Sequence, residues 1–467
     1  MSMSPANTAR LRRGAAGAGS LAVLAALVLG TLTAWPQVER QDIALSAEPE
    51  ASASLLACAG PVLALGRDAT AASPTAAAPL AVVGATVAGS ADPAEVDLRP
   101  VDVIDGPAPT AFSAEPEGGQ RADVAASGAA TVDDPDLRGF AASACTPPLM
   151  ESWLVGGSGL TGAADLVVLA NPGQVASRVT LTVYDVDGPT LPDAGADILV
   201  PAGTQRVVPL AALALGAQSP VVLVSATQAP VQATLQTSIT RTLVPGGLDQ
   251  TAATAAPSDR QVIPALPVSA DPDLTGAGAR LRLLAPSDDA EVVVTVSRVD
   301  GAAPVGAPTE LAATAGVPVE VDLGGLPVGT YRIDVSATAP VVAGAWAATG
   351  IGAGEDFTWA AAAEPLTVPS LVAIAAGPSP ALGLANDGPD DVTVRVSADA
   401  GAADPSEVVV PAGSGAVVAV SPGDVVLLDP SGGAVRAGVA YRGEGAMAAF
   451  PVVPADAAAA PVTVRPR

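Results

Sequence analysis

Lysine and histidine are absent from this 467-residue chain, and aromatic side chains make up only 2% of it. Each absence removes a class of chemistry. Without lysine, a Walker-type phosphate loop cannot be completed. Without histidine, a serine or cysteine nucleophile lacks its usual base. All positive charge rests on arginine, and the formal net charge is −26. Nucleic acid is therefore not an expected partner, because phosphate binding needs a basic stripe. An acidic surface keeps a secreted protein soluble and repels anionic lipid. With few aromatics, the cores must be built from small side chains, each buried Val or Leu contributing about 1.5–3 kcal/mol.

Alanine, valine, 48 glycines and 45 prolines dominate what is present. Valine packs well on a pleated surface, and Gly and Pro cut the chain into short segments. That mixture predicts an all-β fold. Three related passages strengthen it. The first opens Leu169-Ala170-Asn171-Pro172-Gly173, the second Leu284-Ala285-Pro286-Ser287-Asp288, and the third Leu384-Ala385-Asn386-Asp387-Gly388. An alternating run follows each opening. Val179, Leu181 and Val183 alternate with Thr180, Thr182 and Tyr184; Val392, Val394 and Val396 alternate with Thr393, Arg395 and Ser397. Period two marks a half-buried strand. Recurrence at about a hundred residues means tandem domains, and about six or seven short strands per copy is the rhythm of an immunoglobulin-like β-sandwich. Ala229-Pro230 and Ala339-Pro340 fall between β runs and read as a hairpin or an edge kink.

At the N-terminus, Arg10, Arg12 and Arg13 precede a charge-free stretch from Gly14 to Val38. About 20 apolar residues span a bilayer as a helix, and the upstream arginines stay cytoplasmic by the positive-inside rule. The expectation is one span, with the bulk of the chain outside the plasma membrane. A cleaved signal peptide is the rival, but Leu32-Thr33-Ala34 is a poor cleavage site.

Cys58 and Cys145 are the only cysteines. Outside the membrane an even count implies a disulfide. Between them, Ala81-Val82-Val83 and Val101-Asp102-Val103-Ile104 look like strands. The expected organisation is a basic tail (1–18), the anchor or signal (19–38), a linker (39–54), a disulfide-closed irregular or β region (55–145), sandwich repeats at 146–256, 257–362 and 363–457, and a tail (458–467).

The Cys58-Ala59-Gly60-Pro61 and Cys145-Thr146-Pro147 segments, with Trp153-Leu154-Val155-Gly156-Gly157-Ser158 and Leu169-Ala170-Asn171-Pro172-Gly173, resemble the DUF5719 proteins of actinobacteria. Ala59 stands where that pattern leads one to expect proline. The resemblance implies an envelope protein with one membrane span and a β-rich extracytoplasmic part. It implies no reaction and no cofactor.

Candidate chemistry is sparse. Trp153, Gly156, Gly157 and Ser158 form the most conspicuous motif: first an aromatic strand ending in a turn, second a sugar- or peptide-contacting surface. Asp185 and Asp187, before Gly188, open like a calcium loop but read first as a hairpin turn, as do Asp300-Gly301 and the cluster Asp387, Asp390 and Asp391. Glu115 with Glu117, Asp133 with Asp134, and Glu355 with Asp356 are the carboxylate pairs that a glycoside hydrolase would need. The leading expectation is a non-enzymatic, membrane-anchored structural or interaction protein of the envelope, binding an envelope protein or a wall glycan. A carbohydrate-binding module using exposed Trp153, Trp346 or Trp359 is the alternative, and a hydrolase the remote one.

Overall fold

The computed structural model describes residues 45–47, 51–65, 74–87, 90–116, 120–269, 277–455 and 462–464. The apolar segment 14–38 lies outside them, and with it the expected membrane span. Among the described residues no helix is long and apolar enough to cross a membrane. Apart from three single 3-10 turns, every regular element described is a β-strand. Leu45–Ala47 and Val462–Val464 pair antiparallel in a small unit of their own, and residues 50–459 form a second, larger one.

The recurring passages fold the same way. In the first, Leu166–Asn171 pairs on its two edges with Thr204–Pro209 and Gln232–Arg241, while Ser177–Asp185 pairs with Ile198–Val200 and Val221–Thr227. The third repeats this wiring: Ala381–Ala385 lies between Gly415–Ala419 and Arg436–Gly443, and Val392–Ser397 between Ser406–Val410 and Val425–Ser431. In the second, Arg280–Leu284 and Ala290–Arg298 both pair with one 20-residue strand, Gly329–Ala348. Each copy thus stacks two sheets over a valine- and leucine-rich core, with Val179, Leu181 and Val183 buried in one and Val392, Val394 and Val396 in another.

The Ala-Pro phrase is not a hairpin. It marks where a strand passes from one sheet of the sandwich to the other. Gly329–Ala348 runs straight through Ala339-Pro340, pairing with Ala290–Arg298 before it and Arg280–Leu284 after it. In the first copy the strand breaks at Gln228, whose φ is 73°. Proline has no N–H to give a ladder, so the crossing is placed where pairing changes sides.

The region before the first repeat is β as well. Ser54–Ala57, Thr110–Ala114 and Ala94–Asp97 form one sheet; Arg138–Ala144, Val124–Asp133 and Ala81–Thr86 form another. The Cys58–Cys145 disulfide joins the two sheets and is buried. Val101-Asp102-Val103-Ile104 is not a strand, because Val101 and Ile104 face solvent and leave the alternation no face to bury. Asp102 instead accepts hydrogen bonds from Arg206 Nε at 2.6 Å and from the Val207 N–H at 2.9 Å.

These parts close on one another around a single acid. Arg138–Ala144, Val244–Ala252, Phe357–Ala361 and Ala446–Pro451 pack together. Asp356, fully buried, lies among them. Its Oδ2 accepts the N–H of Phe140 at 2.9 Å and of Met447 at 3.2 Å, and its Oδ1 that of Leu248 at 3.1 Å. Glycine is required beside it: a Cβ on Gly139 or Gly247 would come within 2.6 or 2.8 Å of Oδ1. Burial drives the Asp356 carboxyl well above the ordinary range, against the pull of its N–H donors.

Candidate functional site

The glycine motif after Glu151–Val155 has a definite local cause. Gly157 has φ 73°, and a Cβ there would stand 2.8 Å from Asp165 Oδ2. A Cβ on Gly156 would press on the Trp359 ring at 3.1 Å. The turn wraps an internal carboxyl: the Ser158 N–H donates to Asp165 Oδ2 at 2.7 Å, and the Ser238 N–H to Oδ1 at 2.9 Å. Burial pushes the Asp165 carboxyl up to about 7, opposed by those two N–H groups and by Arg282.

Arg282 reaches this turn from the second repeat. Its Nη1 donates to the carbonyls of Gly157 at 2.9 Å and Pro220 at 2.8 Å. Its Nε and Nη2 donate to Glu320 Oε1 at 3.1 and 2.7 Å. The guanidinium lies 4.6 Å from the Trp359 ring centre. Such a planar, multiply donating cation is the role arginine fills and lysine does not. Beside it, Arg280 lies 5.5 Å from the Trp346 ring. Trp346 is half-buried and packs on Phe357.

Together these groups surround a cleft of about 280 Å³ between the first two repeats, which Ser158, Thr237 and Arg241 also line. Composition and spacing pointed to Gly157, Ser158, Trp346 and Trp359 here. They missed Asp165, Arg241, Arg280, Arg282 and Glu320, which are far apart in sequence and sit in no motif.

Trp153 does not serve as an exposed platform. It is buried with Tyr184, Leu284 and Val342, 5.5 Å from the Tyr184 ring, and its Nε1–H donates to Glu151 Oε1 at 3.0 Å. A large ring in the middle of its strand found a neighbouring sandwich to pack on. Trp359 is buried as well, at 7% exposure, leaving Trp346 as the more open of the two tryptophans in the cleft.

The acidic motifs resolve into turns and ion pairs. Asp185 Oδ1 accepts the Asp187 N–H at 2.9 Å, closing the turn to Gly188. Among the described residues no three acidic or cysteine side chains group to hold a metal. Asp387 lies 3.5 Å from Arg436, Asp391 accepts the Ala412 N–H, and the Asp390 carbonyl accepts from Asn386. Asp300 lies 3.4 Å from Arg298. Asp133 pairs with Arg138, and Asp134 accepts the Asp136 N–H. Glu355 accepts the Thr349 hydroxyl at 2.6 Å while its neighbour Asp356 is spent on backbone N–H groups. Glu117 lies outside the described residues.

Tandem β-sandwiches closed around a buried acid, with an arginine–tryptophan cleft between two of them, define the class: a multi-sheet all-β protein with a small arginine-lined recess among its described residues. A family model described as a family of unknown function, DUF5719, matches residues 101–421. The chain belongs to the DUF5719 family. No curated protein matches it.

Proposed function

We propose that this is a non-enzymatic, membrane-anchored binding protein of the cell envelope, built from immunoglobulin-like sandwiches. The cleft between the first two repeats is its binding site. The carrying observation is that recess: arginines, tryptophans and hydroxyls gathered at one junction of an otherwise acidic chain. The buried Cys58–Cys145 disulfide supports an oxidising compartment. Arg10, Arg12 and Arg13 before the apolar segment support anchoring with the N-terminus inside. Tyr331 supports the immunoglobulin likeness: its hydroxyl donates to the Pro327 carbonyl at 2.5 Å, the corner tie such sandwiches use.

A wall glycan is the ligand this reading favours over a protein, because the recess is small and Trp346 and Phe357 give it an apolar wall. Hydrolysis is not favoured. Both oxygens of Asp165 are held by backbone N–H groups, and Glu320 is paired with Arg282. The test is tryptophan fluorescence of the purified protein titrated with solubilised wall glycan. A saturable spectral change supports the reading, and an unchanged spectrum contradicts it.

A further inference from the structure

Acids outnumber bases 47 to 21 in this chain. Two arginines at the cleft nevertheless have no acidic partner among the described residues. Arg241 is half-buried, and its Nη1 is shut from solvent with no hydrogen bond. Burial lowers its pKa, the mark of a cation short of a counter-charge. Arg280, itself exposed, lies over the Trp346 ring. Thr237, at 2% exposure, lines the same recess with a hydroxyl that has no partner. A buried polar atom left unpaired is costly, so a chain that keeps two of them at one recess gains when something else satisfies them.

The missing partner must therefore be anionic and must carry hydrogen-bonding groups. The recess of about 280 Å³ lies at the small end for ligand sites, room for one sugar ring rather than a chain. Trp346 and Phe357 supply the apolar wall that a ring's hydrophobic face needs. Extending the reading of the protein as an envelope glycan binder, we propose that this cleft holds a single anionic sugar that turns the Arg241 guanidinium and the Thr237 hydroxyl toward it, its charge on Arg241 and Arg280 and its hydroxyls on Thr237 and Ser158. Carboxylate and phosphate both fit paired guanidinium groups. The sugar is thus a uronic acid or a sugar phosphate, an end group or branch of a larger glycan.

The experiment titrates the full-length protein with glucuronic acid, glucose 6-phosphate and neutral glucose, each to about 10 mM, reading tryptophan fluorescence. At least one of the two acids should bind saturably, and glucose roughly ten-fold more weakly or not at all. Which acid binds identifies the source of the charge. Arg280→Gln, at an exposed position, should weaken binding roughly ten-fold with an unchanged melting temperature, and Arg241→Gln should do the same. Equal binding of glucose, no binding of either acid, or full affinity in a folded Arg280→Gln protein would overturn the proposal. Wall glycan that binds while both small acids fail would sink this inference and leave the binding reading standing; failure of both sinks both.

Discussion

Asn171 and Asn386 hold the same place in two sandwiches and make the same three hydrogen bonds. Asn171 Nδ2 donates to the carbonyls of Val175 at 2.9 Å and Val200 at 3.0 Å, and its Oδ1 accepts the Gly173 N–H at 3.1 Å. Asn386 donates to Asp390 at 2.8 Å and Val410 at 2.9 Å, and accepts from Gly388 at 2.9 Å. Both are fully buried. The side chain folds the turn after its strand and ties it to the end of a strand beyond. The second repeat has Pro286 here and forgoes the tie. Asn171→Ala and Asn386→Ala should each destabilise by about 1–3 kcal/mol, because buried carbonyls lose their donor. Urea unfolding of the two variants checks this, and an unchanged midpoint in either would refute the shared role.

Asp356 is a larger liability if removed. Asp356→Ala leaves the N–H groups of Phe140, Leu248 and Met447 buried without an acceptor. The expected loss is about 3–5 kcal/mol, with parts of the chain on all sides loosened together. Hydrogen exchange at those three amides reads it directly. Exchange that speeds up at Phe357 alone would mean the acid serves only its own strand.

The buried acids also set a pH dependence. Asp165 and Asp249 are raised by burial from an ordinary 3.8 to about 7. Below pH 3.8 each is protonated in folded and unfolded chain alike, and contributes nothing. Between 3.8 and 7 the unfolded chain has released the proton that the folded chain keeps. Stability therefore falls as pH rises through that window, by about 1.4 kcal/mol per pH unit for each acid, and levels off above it. The protein should melt at a higher temperature at pH 5 than at pH 8. The reverse order would show that these carboxyls fold as ordinary anions.

Much of this architecture was legible in the chain. Period-two runs such as Val179-Leu181-Val183 fixed strands and their buried face, because alternation has one physical meaning in a sheet. Cys58 and Cys145 could pair only with each other. The cleft was not legible. Arg280 meets Arg241 and Asp165 only when two sandwiches dock, and no local pattern encodes docking. Trp153 misled for the same reason: its exposure depends on Tyr184 and Val342, the second of them in another repeat.

Reducing the Cys58–Cys145 bond should loosen the region it closes before the repeats. It bridges 87 residues of sequence, a loop whose closure is worth about 4–5 kcal/mol in the chain-entropy model. Limited proteolysis with reductant should cut first between the two cysteines. Equal protection with and without reductant would show that packing alone holds the region.

Where the cleft stands relative to the membrane decides the rest. Leu215, 85% exposed and next to Gly216, whose N–H donates to the Gly159 carbonyl beside the glycine turn, offers a reporter as Leu215→Cys in a chain whose own cysteines are bonded. A membrane-impermeant thiol reagent added to intact cells should label that position fully. Labelling that appears only after lysis would place the recess in the cytoplasm and contradict an envelope binding protein.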